Sequence, residues 1–70
     1  MIERELSDVE VKEIYGQIVN DTKLKPFNSV VEGKCGEVYY ELNGKQYRLI
    51  YDQNFDWFCD IIFEGEYALH

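Results

Sequence analysis

The sequence is poor in the residues on which much protein chemistry depends. Its 70 residues contain two cysteines, Cys35 and Cys59, and a single histidine, His70. These are too few for a tetrahedral zinc site. A cysteine nucleophile needs a neighbouring base or cation to form its thiolate, and His70 stands at a terminus that is expected to fray. We therefore expect no metal centre and no catalytic cysteine.

Phosphate and calcium motifs are also missing. No glycine series could cradle a phosphate, and we see no basis for a cleft that would perturb the pKa of paired carboxylates. The segment DQNFDWFCDIIF begins like a calcium-binding loop, but that loop needs Gly at its sixth position and Glu at its twelfth. Those positions are Trp57 and Phe63. We expect no cofactor and no enzymatic activity.

The chain has no apolar run approaching the ~18 residues that span a bilayer. Residues 1–5 are charged and no apolar segment follows them, so we expect no signal peptide. A secreted scaffold of this length usually carries four or more cysteines. The sequence thus predicts one compact domain over residues 1–70, located in a reducing cytoplasm.

Basic residues are scarce, with seven Lys and Arg against 14 Asp and Glu and a net charge of −7. Phosphate repulsion argues against direct binding to nucleic acid, and the same repulsion argues against anionic membranes. A basic surface on another protein would attract the chain. The simplest alternative is that the charge only keeps a small protein soluble.

Residues 7–20 have the pattern of a capped helix. Ser7 and Glu10 form a capping box, and Leu6 and Val11 occupy the positions of a hydrophobic staple. The predicted apolar face follows the i, i+3, i+4, i+7 spacing and consists of Val11, Ile14, Tyr15 and Ile18.

Residues 35–52 predict a β-hairpin around Asn43-Gly44, a pair typical of type I′ turns. Leu42 then pairs with Lys45, and side chains alternate between the two faces of the sheet. The predicted inner pairs are Tyr40–Tyr47, Val38–Leu49 and Gly36–Tyr51, and the outer pairs are Glu41–Gln46, Tyr39–Arg48, Glu37–Ile50 and Cys35–Asp52. Val30 and Val31 predict a further short strand.

Residues 56–67 fit either a helix or a strand, and their β-branched and aromatic composition favours the strand. In that strand Trp57, Cys59, Ile61 and Phe63 would point inward, and Phe58, Asp60, Ile62 and Glu64 outward. Opposite orientations of Cys35 and Cys59 disfavour a disulfide. The predicted fold is α+β, with one N-terminal helix packed on a three- to four-stranded antiparallel sheet.

The outer face of this sheet is the predicted protein-binding surface. Acidic side chains dominate it, Arg48 is its single base, and large apolar residues lie between the charges. Aromatic residues supply contact energy at interfaces, and charge steers association. The predicted partner-binding residues are Glu37, Tyr39, Glu41, Arg48, Asp52, Phe58, Asp60, Ile62 and Glu64. Alternatively, long side chains, an extra strand or a second subunit cover the apolar groups.

Two functions fit these features. The first is an inhibitor or adaptor that occupies the basic surface of a nucleic-acid-handling protein, as in phage or mobile-element counter-defence. That analogy rests on size, charge and the lack of motifs. The second is a self-associating structural or regulatory domain that forms a homodimer through outer apolar residues or a strand edge.

Overall fold

A computed structural model describes residues 3–52 and 61–67. Within them, one helix packs on one face of a five-stranded antiparallel sheet, and the strand order is β1-β5-β4-β3-β2. The predicted α+β class is confirmed, with more strands than the three or four expected. The elements are β1 (Arg4–Glu5), α1 (Asp8–Asn20), β2 (Asn28–Glu32), β3 (Cys35–Leu42), β4 (Lys45–Asp52) and β5 (Ile61–Gly65).

Helix α1 begins with the predicted capping box. The backbone N–H of Glu10 donates to Ser7 Oγ over 3.3 Å, and the backbone N–H of Ser7 donates to Glu10 Oε1 over 3.1 Å. Leu6 and Val11, the two predicted staple residues, are both buried in the core. The helix therefore starts where its sequence satisfies the exposed backbone donors of the first turn.

The β3–β4 hairpin has the predicted register throughout, from Leu42 opposite Lys45 to Cys35 opposite Asp52. Asn43 and Gly44 have φ values of 52° and 80°, as a type I′ turn requires. The prediction succeeded because the turn fixes which residues pair, and the pairing fixes which face each side chain occupies.

A second hairpin joins β2 to β3 through Gly33 and Lys34, with Glu32 opposite Cys35. The φ of Gly33 is 60°, which fits the first central position of a type II′ turn. The short strand expected at Val30 and Val31 extends from Asn28 to Glu32 and forms one edge of the sheet. The two-residue strand β1 forms the other edge, beside β5.

The core lies between α1 and the face of the sheet that carries Tyr47 and Leu49. Leu49 and Ile62 have no exposed area, and the side chains around them come from the helix and from three strands. The buried cluster comprises Leu6, Val11, Ile18, Tyr47, Leu49 and Ile62, with Ile14, Tyr15, Leu24, Val38, Tyr40, Leu42 and Tyr51 packed against it.

The predicted orientation of β5 was wrong. Ile62 pairs with Leu49 and Glu64 pairs with Tyr47, so both lie on the helix side of the sheet. Ile61 and Phe63 lie on the outer face instead. Period-2 patterning favoured Ile61 and Phe63 as the buried set because the other set contains the acidic Glu64. In the structure Glu64 lies on the helix side, where it forms ion pairs with Arg4 and Lys45, and pairing with β4 decides the orientation. Residues 61–65 do form a strand, whereas the predictions for residues 56–60, Phe58 and Asp60 among them, lie outside the described residues.

Candidate protein-binding face

The outer face is the side of the sheet opposite α1, and strand register defines its members. Glu5 pairs with Phe63, Phe63 with Arg48, and Arg48 with Tyr39, which makes one row across four strands. Arg48 thus lies at the centre of the face. The outer-face positions are Glu5, Asn28, Val30, Glu32, Cys35, Glu37, Tyr39, Glu41, Gln46, Arg48, Ile50, Ile61 and Phe63.

Arg48 is held by two carboxylates and one aromatic ring. Its Nη2 lies 2.6 Å from Glu3 Oε1 and its Nη1 lies 2.9 Å from Glu37 Oε1. The guanidinium carbon stands 4.6 Å from the centroid of Phe63. The Arg48 side chain is 23% exposed, so these contacts are partly shielded from solvent. The guanidinium is therefore neutralised within the molecule.

Tyr39 is buried at 7% exposure, beneath rings contributed by the segments that flank the sheet. Its ring centroid lies 6.0 Å from that of Phe27 and 5.2 Å from that of Tyr67. Its hydroxyl donates to Glu37 Oε2 over 2.9 Å, and burial is the largest cause that raises its pKa. Tyr39 was predicted to contact a partner, and in the structure Phe27 and Tyr67 cover its ring.

Tyr67 fastens the end of the described chain to this face. Its hydroxyl donates to Glu3 Oε2 over 2.9 Å, and its backbone N–H donates to Gln46 Oε1 over 2.6 Å. Burial, followed by the hydrogen bond to Glu3, raises the pKa of the Tyr67 phenol. The centre of the outer face is consequently a closed network of charges and aromatic rings.

The periphery of the face is open and acidic. Glu5, Glu32 and Glu41 are exposed, and we call these three residues the acidic rim. Exposed apolar residues lie beside them: Val30 at 51% and Ile61 at 39%. Among the described outer-face residues Arg48 is the only base, so no free cation offsets the rim.

Of the predicted site residues, the structure brings Glu37, Tyr39 and Arg48 into contact. Glu41 shares their face on β3. Asp52 ends β4 opposite Cys35. Glu37, Tyr39, Glu41 and Arg48 occupy the outer face as predicted, while the prediction that they bind a partner is untested.

Glu64 belongs to a different cluster, on the helix side of the sheet. One of its carboxylate oxygens lies 2.7 Å from Arg4 Nη2 and the other 3.8 Å from Lys45 Nζ. Arg4 also bonds Glu10, and that bond is the main cause that lowers the pKa of Glu10 to about 2. Positive and negative groups compensate each other here, so this cluster adds nothing to the acidic rim.

Sequence reasoning missed Glu3, Glu5, Phe63 and Tyr67 as outer-face groups. The Glu3-Arg4-Glu5 alternation was a usable signal, because period-2 charge is typical of a strand with two different faces. Tyr67 carries no such signal, since its position depends on where the chain turns after β5.

Other kinds of site find no support in the described residues. No group of three or more His, Cys, Asp or Glu side chains is close enough there to hold a metal ion. No described helix is both long and apolar enough to cross a bilayer, α1 having 13 residues. Cys35 is a free, exposed thiol at the start of β3. The chain matches no protein-family model, no curated protein and no solved structure.

Proposed function

We propose that this protein is a non-enzymatic binding module that covers a basic, nucleic-acid-binding surface of a partner protein. The observation that carries the proposal is that Arg48 already forms ion pairs within the molecule. It is the only base among the described outer-face residues, and Glu3 and Glu37 neutralise it. The face therefore presents uncompensated negative charge, and a basic protein surface is its natural complement.

The acidic rim supplies long-range attraction and the nearby apolar groups supply contact. Charge complementarity raises association rates and excludes partners of like charge. Buried apolar side chains then contribute most of the contact energy in an interface. Val30 and Ile61 are exposed beside the rim and suit that role. The tightly packed centre around Tyr39 and Arg48 gives the face a fixed shape.

The spacing of the rim is compatible with imitation of nucleic acid. Glu5 lies on β1 and Glu41 on β3, three strands apart in the sheet order. With strands about 4.8 Å apart and Glu41 two residues along β3 from the row of Glu5, their backbones are separated by roughly 16 Å. The major groove of B-DNA is about 12 Å wide. Glu5 and Glu41, on either side of a neutral centre, thus offer a crude copy of two phosphates across a groove.

The biological role that follows is inhibition of a nucleic-acid-handling protein in the cytoplasm, of the kind used in phage or mobile-element counter-defence. The partner's lysines and arginines would engage the rim in place of phosphates. This protein and nucleic acid would therefore compete for the same basic surface of the partner. The charge of −7 would keep this protein from binding the nucleic acid itself.

The test is a pull-down with the tagged protein from native lysate at about 100 mM and about 500 mM salt, where the screening length falls from about 10 Å to about 4 Å. The variants Glu5→Lys and Glu41→Lys reverse a rim charge. Glu13→Lys makes the same substitution at an exposed position on α1 and serves as the control. An oligonucleotide duplex is then added as competitor.

We expect a basic protein to be captured at low salt, released at high salt and displaced by the duplex. Glu5→Lys and Glu41→Lys should weaken capture, and Glu13→Lys should leave it unchanged. Capture that survives excess duplex would refute inhibition at a nucleic-acid site. Capture that all three variants weaken equally would refute the assignment of the outer face and indicate only a net-charge effect.

A further inference from the structure

Strand β2 forms a hairpin with β3, and four of its five residues are exposed. It pairs with β3 on one side, and on the other no strand from residues 3–52 or 61–67 pairs with it. Val30 is 51% exposed and Val31 is 67% exposed. An edge that combines unpaired backbone groups with apolar side chains is a template for pairing with another strand.

The hairpin geometry shows which backbone groups point away from β3. In a two-residue hairpin the pair that closes the turn, here Glu32–Cys35, is hydrogen-bonded, and hydrogen-bonded and non-bonded pairs then alternate. Ser29 and Val31 therefore direct their N–H and C=O groups to the open edge. The Ser29 N–H donates to Asn28 Oδ1 over 2.9 Å, as expected for a group that points away from β3.

Charge favours this edge as the meeting point of two copies. The protein has a net charge of −7, so most approaches between copies are repulsive. Residues 22–36, which contain β2 and its flanks, have the opposite balance: Lys23, Lys25 and Lys34 against Glu32 alone. Repulsion between copies is therefore weakest where the open edge lies.

We propose that two copies of this chain associate through antiparallel pairing of their β2 strands, about a twofold axis at Val30. This register uses the whole strand from Asn28 to Glu32. Val30 lies opposite Val30 of the second copy, Ser29 opposite Val31, and Asn28 opposite Glu32. No two like charges face each other, and the outward Val31 N–H meets the outward Ser29 C=O.

The twofold axis of an antiparallel edge pair is perpendicular to the sheet. Both α1 helices consequently lie on one side of a continuous sheet and both outer faces lie on the other. The surface area buried by pairing two five-residue strands is smaller than that of a standard stable interface. In addition, the hydrogen bond from the Ser29 N–H to Asn28 Oδ1 must break for full pairing. We therefore expect a weak dimer that forms with rising concentration. This inference does not rest on the proposed function.

The test is sedimentation equilibrium of the purified chain from about 10 μM to about 1 mM, a range suited to a weak, concentration-dependent dimer, with a thiol reductant to exclude linkage through Cys35. Val31→Pro removes an edge donor without removing a β2–β3 hydrogen bond, a position where proline is tolerated. Val30→Lys places two lysines against each other at the axis. Val9→Lys changes a residue of α1 that is 75% exposed and is the control. Circular dichroism checks that each variant folds.

The wild type and Val9→Lys should dimerise alike, and Val31→Pro and Val30→Lys should weaken the dimer at least tenfold. Amide exchange gives a second readout that needs no variant: protection of the Val31 N–H should rise with concentration, whereas the Val30 N–H, bonded to β3, should not change. A wild type that stays monomeric throughout the range would overturn the proposal. So would a dimer that Ile61→Lys breaks and both β2 variants leave intact, since it would be formed by the outer face.

Discussion

Replacing Arg48 by methionine should destabilise the fold far more than the same replacement of Arg4. Both arginines lie between two carboxylates: Arg48 between Glu3 and Glu37, and Arg4 between Glu10 and Glu64. Their burial differs, because the Arg48 side chain is 23% exposed and the Arg4 side chain 53%. Methionine retains much of the apolar stem of arginine and removes the charge and the donors.

The magnitude follows from the contacts of Arg48. Partly exposed ion pairs contribute about 0.5–1 kcal/mol each after screening, and a cation–π contact of the kind made with Phe63 adds about 0.5–1 kcal/mol. The substitution also leaves Glu3 and Glu37 without a counter-charge. We expect a loss of about 2 kcal/mol in the free energy of unfolding, or roughly 10 °C in Tm for a domain of this size.

The assay is urea unfolding followed by far-UV circular dichroism, with the denaturant slope checked for constancy across variants. Arg48→Lys should fall between the wild type and Arg48→Met, because a lysine keeps the charge and loses the planar fork that reaches two carboxylates. If Arg4→Met lowers stability as much as Arg48→Met does, the outer-face network is not the stabilising feature that its geometry indicates.

Three further predictions concern stability. Gly16→Ala should raise the free energy of unfolding by about 0.5–1 kcal/mol, since no heavy atom lies within 4 Å of a Cβ built there; an unchanged or lower urea midpoint would contradict this. Glu10 has a pKa lowered from 4.5 to about 2, chiefly by its hydrogen bond from Arg4, so its contribution is present above pH 4.5 and lost as the pH falls toward 2. The urea midpoint of Glu10→Gln, which can keep the capping box, should therefore lie below that of the wild type at neutral pH and meet it at pH 2; a gap that persists there would refute the argument. The pKa of Tyr67 is raised above its ordinary value of 10, so its neutral phenol stabilises the fold below pH 10 and this stabilisation is lost as the pH rises further. Absorbance at 295 nm should therefore show phenol ionisation that is shifted to higher pH and coupled to unfolding, and Tyr67→Phe should reduce that coupling.

The helix and the central hairpin were predictable because local chemistry determines them. Ser7 and Glu10 satisfy each other's backbone groups, and this requires only residues three apart. Asn43 and Gly44 accept positive φ, and the turn that they form sets every pair of the hairpin. In both cases the deciding residues are neighbours in the sequence.

The orientation of β5 and the closed centre of the outer face were not predictable in this way. Alternation in β5 indicated that Ile62 and the acidic Glu64 face solvent, and it was misleading because the ion pairs of Glu64 with Arg4 and Lys45 allow it to lie on the helix side. Which side is buried depends on pairing with Leu49 and Arg48, which come from a different strand. The burial of Tyr39 depends on Phe27 and Tyr67, residues 12 positions before it and 28 after it in the printed sequence. Long-range contacts of this kind leave no local pattern.

The closed centre also limits how the outer face could bind. A partner cation that approached Glu37 would have to displace Arg48 from a 2.9 Å contact, and the displaced guanidinium would remain nearby and repel it. A partner cation can approach Glu5 or Glu41 without displacing another cation, since no ion pair to either occurs among the described residues. Binding should therefore depend on Glu5 and Glu41 and be insensitive to Glu37 beyond its effect on stability.

The two proposed surfaces share Val30 and Glu32, but they can be separated by experiment because each also depends on groups that the other does not use. Glu5 and Glu41 lie on β1 and β3, whereas pairing of two copies uses the backbone of β2. Charge reversal at Glu5 or Glu41 should thus weaken capture of a basic partner and leave the dimer intact. Val31→Pro should weaken the dimer within the dimerisation range and leave capture of a basic partner unchanged at lower protein concentrations. Where the dimer is populated, its continuous sheet places two acidic rims on one side, so a partner with a long basic track would bind the dimer more tightly than the monomer. Loss of this concentration dependence in Val31→Pro, with capture of the partner retained at low concentration, is the result that would connect the two surfaces.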